Sequence, residues 1–343
     1  MSATEVQSSP GGRGKERNRS QRTVIIGLAL VSALIIGAVG WWAVDSVINR
    51  PERTGHSPIS ITTNLEFNYA NGVVGGSGTE SDPYMIADWD IEASAGSGIA
   101  IRDTDAHFMI RNCYIHDGSD DFVGILLANC LNGNLNKNIC SNNLNGISLD
   151  DNCNHINVTD NTCVLNSHDG IALNGSNNTM STNNCSSNGY DGIYLVLSTN
   201  NSLTDNNCSS NGHNGITLDR SSDNDLQFNL VSDNDGYGVN ISSYAYLTPS
   251  ANNRICYNVF IGNNGAAGTR DMSHVQARDD GIDNRWNITD VLNETLGNYW
   301  SDWTAPNAVA PSSTVDLPYD IWGSAGAKDF YPLTFDPRKV WPI

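Results

Sequence analysis

Basic residues are scarce in this chain. Its 343 residues hold 18 Lys and Arg against 37 Asp and Glu, for a formal net charge of -19. Five of the basic residues (Arg13, Lys15, Arg17, Arg19 and Arg22) fall within the first 22 positions. The remainder is therefore more acidic still, and such a surface repels nucleic acid and anionic lipid. No CxxC spacing occurs among the eight cysteines, which argues against structural zinc. Methionines are scattered, and His155, His168 and His213 do not align in one column, so no copper-binding cluster or other cofactor is expected. Lys137, Arg220 and Arg254 fall at different register positions. Without a basic row, the chain lacks the groups by which a lyase neutralises a uronate, as in pectate or alginate.

Charge is also absent from Thr23 to Val44, a run of 22 residues. As a helix it spans roughly 33 Å, enough for a bilayer core. Basic residues precede it and Trp41 and Trp42 follow, so the spacing predicts a transmembrane helix over 23–44 with residues 1–22 as a cytoplasmic tail. The alternative is a cleaved secretory signal with Ala38-Val39-Gly40 as its small-residue site. Either way the rest of the chain is exported.

A repeat dominates that exported portion. Gly plus a β-branched residue recurs at Gly98, Gly124, Gly146, Gly170, Gly192, Gly215 and Gly238, with spacings of 26, 22, 24, 22, 23 and 23. After each central Gly, Ile and Leu alternate on one face (Ile125 and Leu127 through Ile216 and Leu218), the period-2 mark of a strand. One short strand per ~23 residues, stacked, is a solenoid. Asparagines keep the same register. Asn138, Asn161, Asn183, Asn206, Asn229 and Asn258 form one column, and Asn143, Asn166, Asn188, Asn211, Asn234 and Asn263 a second. Asn154, Asn178, Asn201, Asn224 and Asn253 form a third. Asn tolerates left-handed backbone at turns, and stacked amides satisfy one another from coil to coil. The expected fold is all-β, a right-handed parallel β-helix of seven or eight coils.

Cys113, Cys140, Cys163, Cys185 and Cys208 form a further column, continued by Val231 and Phe260, so reduced thiols filling the core are expected. Cys130 and Cys153 share another column with Ser176, Ser198 and Ser221 and are the pair to test for a bridge. The expected organisation is a linker at 45–58, an N-terminal cap and first coil at 59–97, repeats at 98–263, and a C-terminal cap or tail at 264–343.

Segments outside the coils carry a family resemblance. GSGTESDPYMI (Gly76 to Ile86) resembles the opening segment of NosD-like, carbohydrate-binding β-helix proteins of archaeal cell surfaces. GNYWSDW (Gly297 to Trp303), PYDI (Pro318 to Ile321) and DFYPL (Asp329 to Leu333) resemble their closing segment. An acidic, glycine-rich stretch common in that family is replaced here by TAPNAVAPSSTVDL, which argues against a cation site in the tail. The resemblance implies fold and location. The superfamily spans lyases, hydrolases, epimerases, adhesins and copper-maturation factors, so activity does not follow.

Surface candidates precede the repeating glycines: Asp169, Asp191 and Asn214, themselves preceded by His168, Tyr190 and His213. Successive coils place Asp169 and Asp191 about 5 Å apart, near the spacing of a retaining glycosidase pair. Tyr194 offers a ring for a sugar face. The plainer reading is turn chemistry, with Asp or Asn before Gly. Asp219 with Arg220, and Asp150 with Asp151, read as solvated edges. Sequons at Asn157, Asn174, Asn177, Asn184, Asn200, Asn207, Asn240, Asn287 and Asn293 suit a glycosylated envelope protein, with Asn184 and Asn207 directed outward. The expected function is a membrane-anchored, non-catalytic module for envelope glycans or surface-layer proteins. A glycoside hydrolase or polysaccharide lyase is the alternative.

Overall fold

The structure, a computed structural model, describes residues 53–339 apart from 244–247, 267–270, 290–294, 304–313 and 315–316. Among the described residues no helix is long and apolar enough to cross a membrane. The expected span over 23–44 and its basic tail lie outside them.

Alternation of branched apolar and polar residues makes short strands, and each strand buries one side by stacking on the next coil. The result is a right-handed parallel β-solenoid of about seven turns. One nine-stranded face begins with Ile59–Ile61 and Ile99–Thr104, continues through Ile125–Cys130, Ile147–Asn154, Ile171–Ser176, Ile193–Val196, Ile216–Asp219 and Val239–Ser242, and ends at Ala277–Asp279. A second nine-stranded face runs up to Arg254–Cys256, and a third is divided into sheets of five and four strands. The parallel ladder overruns both expected limits. Thr54–Gly55 pairs with Trp89–Glu92 inside the expected linker, and Ala277–Asp279 pairs with Val239–Ser242 inside the expected tail. Ile147, Ile171, Ile193 and Ile216 stack with Leu149, Leu173, Leu195 and Leu218 in the core, none more than 1% exposed.

Ladders hold the corners. Asn161 donates from its backbone N and its Nδ2 to Asn183 Oδ1, Asn183 does the same to Asn206 Oδ1, and each Nδ2 also reaches a carbonyl of the preceding coil. The left-handed residue is the one before each ladder Asn rather than the Asn itself. Lys137, Asp160, Thr182, Asp205, Phe228 and Tyr257 have φ between 55 and 61°. Side chains such as Thr182 and Phe228 tolerate that conformation poorly, at about 1–2 kcal/mol each, and the doubled amide bonds beside them offset it.

The repeating glycines have a steric cause. A Cβ on Gly170 would stand 2.6 Å from Gly192 O and 2.9 Å from both Asn188 Nδ2 and Cys185 Cβ. The chain passes so close to the next coil there that only hydrogen fits.

Three expected columns are corrected. Cys113 takes the rung below Asn138, because its backbone N donates to Asn138 Oδ1, while Ile115 pairs with Cys140 in the thiol column. Asn154 is not a rung of the third ladder: Ile156 N donates to Asn178 Oδ1, whereas Asn154 pairs with Ser176. Gly175, not Ser176, follows Cys153 in the column that leads to Ser198 and Ser221. All eight cysteines are buried free thiols, including Cys130 and Cys153.

Candidate functional site

On the outside of consecutive turns, the loops entering the first face carry three rings in one column. His168 lies 4.8 Å from Tyr190 at an interplanar angle of 12°, and Tyr190 lies 4.3 Å from His213 at 19°. His168, Tyr190 and His213 thus share a column, as their common position two residues before a repeating Gly implies.

Under the rings runs a fourth ladder, made by the residues before the glycines. Asn145 Oδ1 accepts from Asp169 N at 3.0 Å, Asp169 Oδ1 from Asp191 N at 3.0 Å, Asp191 Oδ1 from Asn214 N at 2.8 Å, and Asn214 Oδ1 from Tyr237 N at 2.8 Å. Turn chemistry accounts for this column. Asp169 and Asp191 are each 1% exposed. Both oxygens of Asp169 are engaged, the second by His168 Nδ1 at 3.0 Å. The two acids therefore do not face a common substrate as the glycosidase expectation requires.

Electrostatics follow from the burial. Loss of solvent raises the Asp169 carboxyl above its ordinary range, against the opposing hydrogen bond from His168. The hydrogen bond to Asp169 raises His168, and that to Asp191, at 2.7 Å, raises His213.

The stack forms one wall of a surface cleft of about 270 Å³ lined by His168, Tyr190, Asp191, Tyr194, His213, Thr217, Asp219, Asn240 and Ser242. The floor is the outer side of the first face. Tyr194, Thr217 and Asn240 stand in one strand register, with Asp219 and Ser242 in the next outward one. Tyr194 OH donates to Asp219 Oδ2 at 3.1 Å, and Asn214 Nδ2 donates to Thr217 Oγ1 at 3.0 Å. Asp219 is only 6% exposed, so it is part of the cleft rather than a solvated edge. Asp191 Oδ2 and Asn240 Oδ1 are buried without a hydrogen-bond partner. Sequence reasoning found the stack, Asp191 and Tyr194 but missed Thr217, Asp219, Asn240 and Ser242. The first and third positions after the repeating Ile or Val partners, read outward, would have found them.

A basic pair also escaped notice. Arg254 and Arg285 share a register position, and Arg254 grips Asp225 with its Nε at 2.8 Å. Among the sequons, Asn157, Asn177 and Asn200 are exposed, while Asn174, Asn207, Asn240 and Asn287 are half-buried. Asn184 is 5% exposed, with its Oδ1 accepting from Ser186 Oγ and Asn207 Nδ2, so its outward direction does not leave it open to solvent. Asn293 lies outside the described residues.

Fold and cleft together define a parallel β-helix protein with a ring-lined surface groove. The chain belongs to the NosD family, whose model, described as periplasmic copper-binding protein, matches residues 71–305. No curated protein matches the chain. Similar solved structures include the periplasmic alginate epimerase AlgG, at 17% identity and a TM-score of 0.46, covering 68% of this chain and 62% of that one. The A-module of Azotobacter vinelandii mannuronan C-5 epimerase AlgE4 is similar at 19% identity and a TM-score of 0.42, covering 68% and 70%. Pectate lyase Pel9A is similar at 12% identity and a TM-score of 0.44, covering 78% and 72%.

Proposed function

We propose that this chain is an extracytoplasmic β-helix module that binds envelope glycans without turning them over, using the His168–Tyr190–His213 stack as its contact wall. The single observation that carries the reading is that ring stack beside a cleft rich in polar oxygens. The ring edges of the stack, with the ring of Tyr194 beside them, give sugar C–H groups an apolar surface while polar groups orient the hydroxyls. Membrane anchoring through 23–44, an archaeal cell-surface setting and glycosylation at the exposed Asn157, Asn177 and Asn200 belong to the same reading. They rest on the sequence.

Copper, which the family description names, fits these residues poorly. Among the described residues no three His, Cys, Asp or Glu side chains gather into a metal-ligating group. The Tyr190 ring stands between the two imidazoles, so His168 and His213 do not converge on one ion. A hydrolase is the second reading, and the observation favouring it is that Asp191 and Asp219 line one cleft.

A glycan array probed with the full chain, followed by product analysis on each hit, tests the proposal. The expected result is binding without cleavage, weakened about tenfold or more in Tyr190→Ala, in line with the loss of one ring stack. Cleavage that disappears in Asp191→Asn would replace the module by an enzyme. Silence on every glycan would leave an envelope scaffold.

A further inference from the structure

The fourth ladder needs only a side-chain oxygen at each rung, and Asn supplies it at Asn145 and Asn214. Position 191 carries a carboxylate instead. Its Oδ1 does the work of the rung, accepting from Asn214 N and His213 Nδ1. Its Oδ2 is left over, buried, unpartnered, and part of a residue that lines the cleft. An Asn there would place a donor at that corner, so the acid changes the site from donor to acceptor. Asn240 Oδ1 is a second buried acceptor without a partner, and Asp219 supplies a third oxygen group. No Lys or Arg is among the residues lining the cleft.

A buried carboxylate oxygen left unpaired is destabilising until a donor reaches it. A ligand that carries donors recovers this on binding. A ligand that carries a carboxylate meets like charge at Asp191, while Asp219 is held by Tyr194 OH and by Arg220 Nε at 3.4 Å. The volume of about 270 Å³ exceeds the room one ion or a few waters need, and Tyr190, Tyr194 and His213 wall it with rings. We infer that the cleft takes an uncharged pyranose through its hydroxyl donors and excludes uronates. This rests on the glycan-binding reading above and adds the class of sugar.

Methyl β-glucoside, methyl β-galactoside and the corresponding glucuronide and galacturonide differ only at the C6 group and the C4 configuration. Their affinities for the full chain, measured by ligand-observed NMR at pH 8, where the imidazoles carry less charge, test the inference. At least one neutral glycoside binds, and its uronide is weaker by about tenfold or more, as expected when a site of buried acceptors meets an anion. Asp191→Asn, which the ladder accommodates at its own Asn rungs, weakens the neutral glycoside about tenfold and narrows the gap to the uronide. Equal or tighter uronide binding, unchanged affinity in Asp191→Asn, calcium binding without glycoside binding, or silence of all four glycosides would each overturn the inference. Tyr190-dependent binding on the array with no preference against uronates sinks this inference alone. Loss of all glycan binding sinks both.

Discussion

Asn298 ends a run of stacked amides, and Asp329 receives it. Asn298 N donates to Asp329 Oδ2 at 2.7 Å, and Asn298 Oδ1 accepts from Asn258 N at 3.0 Å. The same terminus recurs twice. Gln276 Nε2 donates to Asp302 Oδ1, and Asn284 Nδ2 to Asp279 Oδ1 at 2.9 Å, closing the ladders that run through Asn263 and Asn253. An aromatic donor completes each acid: Trp300 for Asp329, Tyr319 for Asp302 and Trp286 for Asp279. A carboxylate has no donor of its own, so it ends a one-way chain of amides.

Asp329 makes stability depend on pH. Burial pushes its carboxyl up from 3.8 to about 6, outweighing the hydrogen bonds from Trp300, Asn298 and Tyr331. A folded-state value above the unfolded one means this contribution is complete below pH 3.8 and is lost as pH rises through about 6. The expected change is about 3 kcal/mol. Urea titrations from pH 4 to pH 7 should show it in the wild type, and the difference between wild type and Asp329→Asn isolates it. Parallel pH profiles for the two proteins would refute it.

Removing a central rung leaves several groups stranded. Asn183→Ala takes the acceptor from Asn161 N and Nδ2 and the donor from Val158 O. A loss of about 3–5 kcal/mol is expected in chemical denaturation. Asn157→Ala, exposed on the outside, should change stability by less than about 0.5 kcal/mol.

Gly170→Ala drives a methyl group into Gly192 O. Destabilisation of about 2–3 kcal/mol is expected, although the backbone φ at this position is not left-handed. A thermal midpoint equal to that of the wild type would show that the coils separate more easily than their contacts imply.

Thiols in the core column act as small apolar groups. Cys208 pairs with Val231 in register, so Cys185→Val should cost less than about 1.5 kcal/mol and Cys185→Ser more. All eight thiols are buried away from solvent. A thiol reagent at pH 8 should therefore label none of them until denaturant is added. Rapid labelling of the native chain would contradict this.

The repeat itself was legible because Gly, Ile and Asn are each demanded by a local contact that recurs. Two of the three column errors are slips of two residues, and the third, Ser176 for Gly175, is a slip of one. Leu149 pairs with Leu173 but Cys153 with Gly175, so two extra residues bulge between them. Counting onward from the glycine spacing therefore placed Asn154 where Ile156 belongs. Cys113 was misplaced in the same way, two positions from Ile115. A two-residue slip keeps inward positions inward and leaves the alternation intact, whereas the one-residue slip at Ser176 put an outward side chain in an inward column. The outward direction of Asn184 was legible, but alternation gives direction, not exposure, and flanking coils cover it. The cleft was half legible: its ring wall follows the glycine register, while Asp219 and Asn240 enter through strand positions that carry no repeating residue type. The terminal acids were hidden because Asp279, Asp302 and Asp329 lie where the period has already stopped.

The one-way amide ladders also bear on how such a molecule changes size. Each rung touches only the rungs before and after it, and nothing in a middle turn senses how far away Asp329 is. A tandem duplication of one turn between Gly170 and Gly215 reproduces the same contacts on both new surfaces and leaves the acidic terminus undisturbed. Reach is thereby separated from stability, and a lineage can lengthen or shorten this protein by whole turns while keeping the same two ends.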